Sequence, residues 1–171
     1  MTFTASDGVN IATALSSFTL AFAGQQVYTT PGTYQFVAPD STISIVCVGG
    51  GGCGDDGNSG DGGGGGGGGG ALAHVSNLSV VPGQTYTVVV GAGGANGNGY
   101  GSVAQSGAAS SFSGTHAGGA FSIIAGGGQG GRPYSQPESS GGTFSFSNLP
   151  SNGGTGGGNG GGGGQLSLIH I

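Results

Sequence analysis

Thr42-Ile43-Ser44-Ile45-Val46-Cys47-Val48-Gly49-Gly50-Gly51-Gly52 decides the fold class. Its first seven residues alternate. Ile43, Ile45 and Cys47 point to one face and Ser44, Val46 and Val48 to the other, the period-two signature of a strand, here apolar enough to be covered on both faces. The strand then runs straight into glycine, with no helix-forming residue between.

The same grammar recurs on either side. Upstream, Val27-Tyr28-Thr29 and Thr33-Tyr34-Gln35-Phe36-Val37 flank Pro31-Gly32, where Pro fixes φ and Gly accepts a positive φ, so the pair reads as a hairpin. Downstream, Ala71-Leu72-Ala73-His74-Val75 and Leu78-Ser79-Val80-Val81 lead through Pro82-Gly83 into Thr85-Tyr86-Thr87-Val88-Val89-Val90, a second predicted hairpin. In its last strand Tyr86, Val88 and Val90 oppose Thr85, Thr87 and Val89. Further β-prone islands lie at Ser110-Ser111-Phe112-Ser113, Ala120-Phe121-Ser122-Ile123-Ile124-Ala125 and, more weakly, Thr143-Phe144-Ser145-Phe146. Helix formers in helical register are nearly absent after residue 24; only Asn10 to Ser17 has the pattern of a short helix. The expectation is an all-β protein: a small sandwich-like core from residues 26–48, 71–91 and 110–125, with glycine-rich loops.

Glycine makes up 47 of the 171 residues, including the unbroken run Gly62 to Gly70 and a second tract from Gly153 to Gly164. Glycine loses the most backbone entropy on ordering, so such tracts stay flexible unless lateral hydrogen bonds hold them. Two outcomes are open. The tracts are solvated loops, or they form threefold helices of the polyproline II shape, whose N–H and C=O groups point sideways and bond a neighbouring chain where no Cβ intervenes. Nine such residues at ~3.1 Å each reach roughly 28 Å, about a domain width. Collagen is excluded, because it needs Gly at every third place with abundant Pro, and only six prolines are present.

Charge excludes more. Arg132 is the single Lys or Arg, against six Asp and Glu, for a net charge of −5. A nucleic-acid binder needs several cations to displace counterions, so no nucleic-acid partner is expected. No apolar run of about 18 residues exists, so no membrane insertion is expected. Val9 to Ala23 lacks the preceding Lys or Arg of a signal peptide.

Glycine at this density generates false GxGxxG matches, but the dinucleotide fingerprint needs a helix opening at the last Gly, and a P-loop needs a Lys this chain does not have. Asp55, Asp56 and Asp61 form the one candidate metal loop, for calcium. The neighbouring Gly51-Gly52-Cys53-Gly54-Asp55-Asp56 echoes a calcium nonapeptide repeat but places Asn58 where a large apolar residue belongs, and no Glu closes an EF-hand loop. The loop therefore reads better as a solvated turn, with no metal or other cofactor expected. His74 and His116 have no nucleophile at a recognisable spacing, so no catalytic residue is assigned and the chain reads as a non-enzyme. Cys47 and Cys53 could bridge, or Cys47 could be free and buried. Tyr100, Phe112, Tyr134, Phe144 and Phe146 lie in or beside Gly, Ser and Asn loops. Rigid aromatics on such loops are the composition of a recognition surface, so they are the receptor-contact candidates; the alternative is that they cap the ends of the β core.

The final residues Leu166-Ser167-Leu168-Ile169-His170-Ile171 break from everything before them. They can be encoded by CTG TCT CTT ATA CAC ATC, which resembles a transposase-end library adapter, so 166–171 reads as adapter read-through at the end of a short metagenomic fragment; an ordinary C-terminal strand is the alternative. Codons other than those six in the raw read would overturn the adapter reading. The expected organisation is an N-terminal segment 1–25, reading as the remnant of an upstream region, a glycine-rich β domain 26–165, and the non-native 166–171.

Two segments carry a family resemblance. Thr30-Pro31-Gly32-Thr33-Tyr34-Gln35-Phe36-Val37-Ala38-Pro39 with Ile43 to Gly52, and Gly68 to Ala73 with Leu78-Ser79-Val80-Val81-Pro82-Gly83-Gln84-Thr85-Tyr86 through Gly94, resemble the glycine-rich domain of bacteriophage tail-fibre and related virion proteins. The resemblance implies a small β-rich domain displaying glycine loops in a virion tail or fibre, where it aids attachment to a bacterial surface. The implied partners are a bacterial cell-surface receptor or other tail proteins, and in the full-length fibre a homotrimer. The alternative is a bacterial extracellular structural or adhesive protein built on the same domain.

Overall fold

The computed structural model describes residues 2–6, 11–15, 24–57, 63–95, 104–116, 118–132, 138–149, 153–155 and 168–171. Its strands are β1 (Thr2–Ser6), β2 (Ile11–Leu15), β3 (Val27–Tyr28), β4 (Gly32–Val37), β5 (Thr42–Val48), β6 (Leu72–Ser79), β7 (Thr85–Val90), β8 (Ser110–His116), β9 (Gly119–Ala125), β10 (Phe144–Ser147), β11 (Gly153–Thr155) and β12 (Leu168–His170). No helix occurs among the described residues; of Asn10 to Ser17, expected to have helical register, Ile11–Leu15 is instead β2, paired antiparallel with β1 in a ribbon of their own, and the rest lies outside the described residues.

The other ten strands make two antiparallel sheets, ordered β10-β9-β8-β7-β4 and β11-β6-β5-β12-β3. They pack face to face as a small sandwich. The inward alternation expected of β7 holds: Tyr86, Val88 and Val90 are buried, Thr85 is exposed, and Thr87 and Val89 are half-buried. In β5, Ile43, Ile45 and Cys47 are buried, but Ser44 is exposed and Val46 and Val48 only half-covered. The expectation of cover on both faces is therefore corrected: β5 lies in an outer layer whose second face meets solvent.

Aromatic rings fill the centre. Tyr86 stacks on Phe112 at 5.5 Å, while Phe36 and Phe121 meet Phe112 at 6.0 and 5.9 Å. Burying each such ring is worth about 1.5–3 kcal/mol. Gly114 makes the arrangement possible, because a Cβ there would run into the Tyr86 ring.

Neither Pro-Gly turn closes a hairpin. β3 and β4 belong to different sheets, as do β6 and β7, so both turns carry the chain across the sandwich. The local signal specifies a reversal, not a partner. β4 finds six paired residues on β7, from Gly32↔Val90 to Val37↔Thr85, which two-residue β3 cannot match. The crossings at 38–41 and 80–84 brace each other: Ala38 N–H donates to Gln84 O at 3.0 Å, Gly83 N–H to Ala38 O at 2.8 Å and Val80 N–H to Ser41 O at 2.8 Å. The buried Tyr86 hydroxyl accepts Val81 N–H at 3.1 Å, and Gly83, at φ 79°, supplies the conformation that the turn needs.

β12 lies between β5 and β3, with Ile169 fully buried.

Candidate functional site

At the end of the sandwich opposite the braced crossings, the glycine runs form a second body. After β5 the chain leaves through 49–57 and returns through 63–71 to β6; it leaves again through 91–95 and returns through 104–109, and a third time through 126–132 and 138–143. The hydrogen bonds between these six runs follow a three-residue period. Gly49, Gly52 and Asp55 N–H donate to the carbonyls of Ala71, Gly68 and Gly65, while Gly50 and Cys53 N–H donate to Ala108 and Gln105. The carbonyls of Gly50 and Cys53 in turn accept from Gly128 and Gly131. Run 126–132 continues the pattern: Gly126, Gln129 and Arg132 carbonyls accept from Ala71, Gly68 and Gly65, and Gly126 and Gln129 N–H donate to Thr143 and Ser140. These bonds span 2.6–3.1 Å.

A three-residue repeat of sideways bonds is the polyglycine II arrangement, three residues per turn with no bonds inside a run. Of the two outcomes open to the glycine tracts, these runs take the packed one. The need for glycine is steric. A Cβ on Gly52, Gly70, Gly107, Gly128 or Gly130 would strike the backbone carbonyl of an adjacent run, whereas Gly63 faces open space and Gly54 has ordinary room, 3.7 Å from the nearest atom. Small hydroxyl side chains finish the ends that glycine cannot. Ser110 Oγ accepts Gly91 N–H at 3.0 Å, Ser106 Oγ accepts Gly130 N–H at 3.1 Å, and the buried Ser139 Oγ donates to Gly130 O at 2.7 Å. Sequence reasoning did not single out these serines; in a chain rich in Ser, only their position between runs distinguishes them.

The bundle has a proximal end on the sandwich and a distal end. Residues 55–57, 63–65, 95, 104 and 132 meet at the distal end, through bonds such as Asp55 to Gly65 and Gly65 to Arg132. These residues flank 58–62, 96–103 and 133–137.

The receptor-contact candidates divide into three groups. Tyr100 and Tyr134 lie outside the described residues. Phe112 is fully buried among Phe36, Tyr86 and Phe121 and cannot touch a partner, a correction whose cause is that its inward position on β8 meets rings from β4, β7 and β9. Phe144 and Phe146 lie on β10, the edge of its sheet, with rings 5.8 Å apart in an edge-to-face arrangement; Phe144 is 37% exposed and Phe146 packs partly on the core.

Of the candidate calcium loop, Asp55 is half-buried with one carboxylate oxygen, Oδ2, covered and without a hydrogen-bond partner. Asp56 is exposed, and Asp61 lies outside the described residues. Among the described residues no three His, Cys, Asp or Glu groups come together as a metal site. His116 is committed to structure. Nδ1 accepts Gly118 N–H at 2.9 Å, so Nε2 carries the proton and donates to Asn148 O at 3.0 Å, while Asn148 Nδ2 donates to Gly118 O and Ala120 O. His74 is half-buried on β6. No disulfide joins Cys47 and Cys53, and burial pushes the Cys47 thiol up to about 12. A cleft of about 700 Å³ opens beside β12, lined in part by Gln25, Gln26, Val37, Asp40 and His170.

A two-sheet sandwich bearing a hydrogen-bonded polyglycine bundle on one end is a distinct class of protein module. Within that class, residues 29–168 match the glycine-rich domain family, and the chain belongs to it. A search of curated proteins gave no match.

Proposed function

We propose that this chain is a non-enzymatic structural and adhesive module of a phage tail fibre or tail, aiding attachment to a bacterial surface. The observation that carries the reading is the bundle. Its backbone groups bond one another, so it projects from the sandwich as a supported body, and the flanks of 58–62, 96–103 and 133–137 meet at its far end. Recognition segments held on a rigid support lose less entropy on binding than segments on a free chain. With one cation in the whole chain, steering by charge is weak, and contact would rest on aromatic and backbone polar groups.

The test is adsorption of the labelled domain to a panel of bacteria. Saturable binding to particular strains is expected, lost in the combined variant Tyr100→Ala, Tyr134→Ala, Phe144→Ala and Phe146→Ala at a temperature where its circular dichroism shows it folded, since losing the packed Phe146 ring lowers the melting temperature. Binding undiminished in that variant would refute the aromatic contacts, and no binding to any strain would refute the adhesive role. Genes flanking the coding sequence are a second check: tail, baseplate or capsid genes are expected, and secretion genes would favour a bacterial extracellular protein.

A further inference from the structure

The ladder between β5 and β12 stops short of the end of β5. β6 pairs with β5 from Thr42 to Val48, whereas β12 reaches only Val48, Cys47 and Val46. Among the described residues no strand lies beside 42–45 on that side. Ile171 exchanges both main-chain bonds with Gln26 at 3.0 Å, so its neighbours by alternation, His170 and Leu168, turn theirs to Val46 and Val48. The same alternation along β5 turns the main-chain groups of Ser44 and Thr42 into the lane that continues β12, roughly 14 Å of strand edge over 42–45.

The cleft of about 700 Å³ follows this lane. Thr42, Ile43 and Ser44 form one wall, and Gln25 and Gln26 line it from the chain before β3. Its floor reaches the core at Phe36 and Ile43, and Val37 beside them, at 57% exposed, is the least covered large apolar side chain among the described residues. A main-chain edge along one wall with an apolar floor below suits an extended peptide, which takes its affinity from main-chain bonds and its selectivity from an inward side chain.

Charge narrows the occupant further. Asp40 lines the same cleft, half-buried, and only its Oδ1 is engaged, accepting Ser41 N–H at 2.6 Å and the Ser41 hydroxyl at 3.3 Å. His170 is the cleft's other titratable group. The chain's single Lys or Arg, Arg132, lies at the far end of the bundle with its guanidinium 3.5 Å from Gln129 Oε1, so it cannot serve Asp40. A second copy would bring six acidic residues and one cation held in its own bundle, which favours a different polypeptide as the occupant.

We propose that the cleft is a strand acceptor for an extended segment of a partner protein, which pairs with Ser44 and Thr42, turns one apolar side chain in against Phe36 and Ile43, and sets a Lys or Arg on Asp40. Asp40 belongs to the braced crossings, at the end of the sandwich away from the bundle, so a partner held here leaves the bundle's far end clear for a separate contact.

The probes are four fluorescent amidated peptides, Ser-Thr-X-Thr-Lys with Val, Ile, Leu or Phe at X, titrated with the full chain by fluorescence polarisation and located by NMR shifts of its amides. Saturable binding of at least one is expected, with shifts at Thr42, Ser44 and Gln26. Asp40→Asn, which keeps an oxygen for Ser41 N–H, should weaken it about threefold or more, as should Glu in place of the peptide's Lys. Methylating the two Thr nitrogens of the peptide should weaken it about tenfold or more by removing the main-chain donors. No saturable binding by any of the four would overturn the proposal, as would an unchanged affinity for Asp40→Asn. Equal binding of the methylated peptide would mean that the cleft takes apolar groups without strand pairing, which also overturns it. So would shifts of the same amides that grow with concentration of the chain alone, the mark of a second copy, or Overhauser contacts in the peptide-free chain between Ser44 and residues 16–23.

Discussion

Gly128→Ala distinguishes a packed bundle from solvated loops by the sign of its effect. In an open loop, exchanging Gly for Ala narrows the unfolded ensemble and stabilises by about 0.4–1 kcal/mol. In the bundle the new Cβ meets the Gly68 carbonyl, a backbone atom that cannot rotate away. Run 126–132 must then shift from 63–71, weakening the bonds Gly128 to Gly50, Gly107 to Gly128 and Gly68 to Gln129. At about 0.5–1.5 kcal/mol per bond, and after the gain from the unfolded state, a net loss of about 0.5–4 kcal/mol follows. For a chain of this size that lowers Tm by roughly 1–15 °C. Thermal denaturation followed by circular dichroism reads the effect, with Gly63→Ala as the internal control, since its Cβ would face open space. The reasoning is refuted if Gly128→Ala melts at or above the wild-type temperature, or if the two variants shift alike.

Two further outcomes are expected. Gly114→Ala drives a methyl into the buried Tyr86 ring and should cost about 1–3 kcal/mol in chemical denaturation, whereas a neutral result would mean that the ring sits elsewhere. Cys47 makes stability depend on alkaline pH: its thiol stays neutral up to about 12 in the fold, against an ordinary value of 9.0, so its contribution is complete below pH 9 and is lost as pH rises towards 12. Up to about 4 kcal/mol is at stake, at about 1.4 kcal/mol per pKa unit, and the Cys47→Ala variant should show a flatter decline of unfolding free energy between those limits.

Much of the sandwich could be read from side-chain alternation. Ile43, Ile45 and Cys47, and again Tyr86, Val88 and Val90, declare an inward face because strand geometry fixes it residue by residue. Strand partners were less legible. Pro31-Gly32 and Pro82-Gly83 each announce a reversal, yet whether the next strand pairs with the last or crosses to another sheet depends on residues far away. Phe112 shows the same limit at a single side chain: among Ser and Gly neighbours it resembles a loop aromatic, and only the arrival of Phe36, Tyr86 and Phe121 makes it core. For the bundle, the hydrogen-bond argument identified packed helices as one of two outcomes. Which run lies beside which could not be read, because glycine offers no side chain to mark a face, and the pairings rest on backbone register alone.

Amide hydrogen exchange, resolved to single residues by NMR, tests the bundle most directly. The amides of Gly49, Gly50, Gly52, Cys53 and Asp55, of Gly65 and Gly68, and of Gly126, Gly128, Gln129, Gly130 and Gly131 donate between runs and should be protected, and they should lose that protection together in Gly128→Ala. Uniform exchange at open-chain rates across Gly49 to Asp55 and Gly126 to Gly131 would contradict the bundle, and with it the support on which the adhesive reading stands.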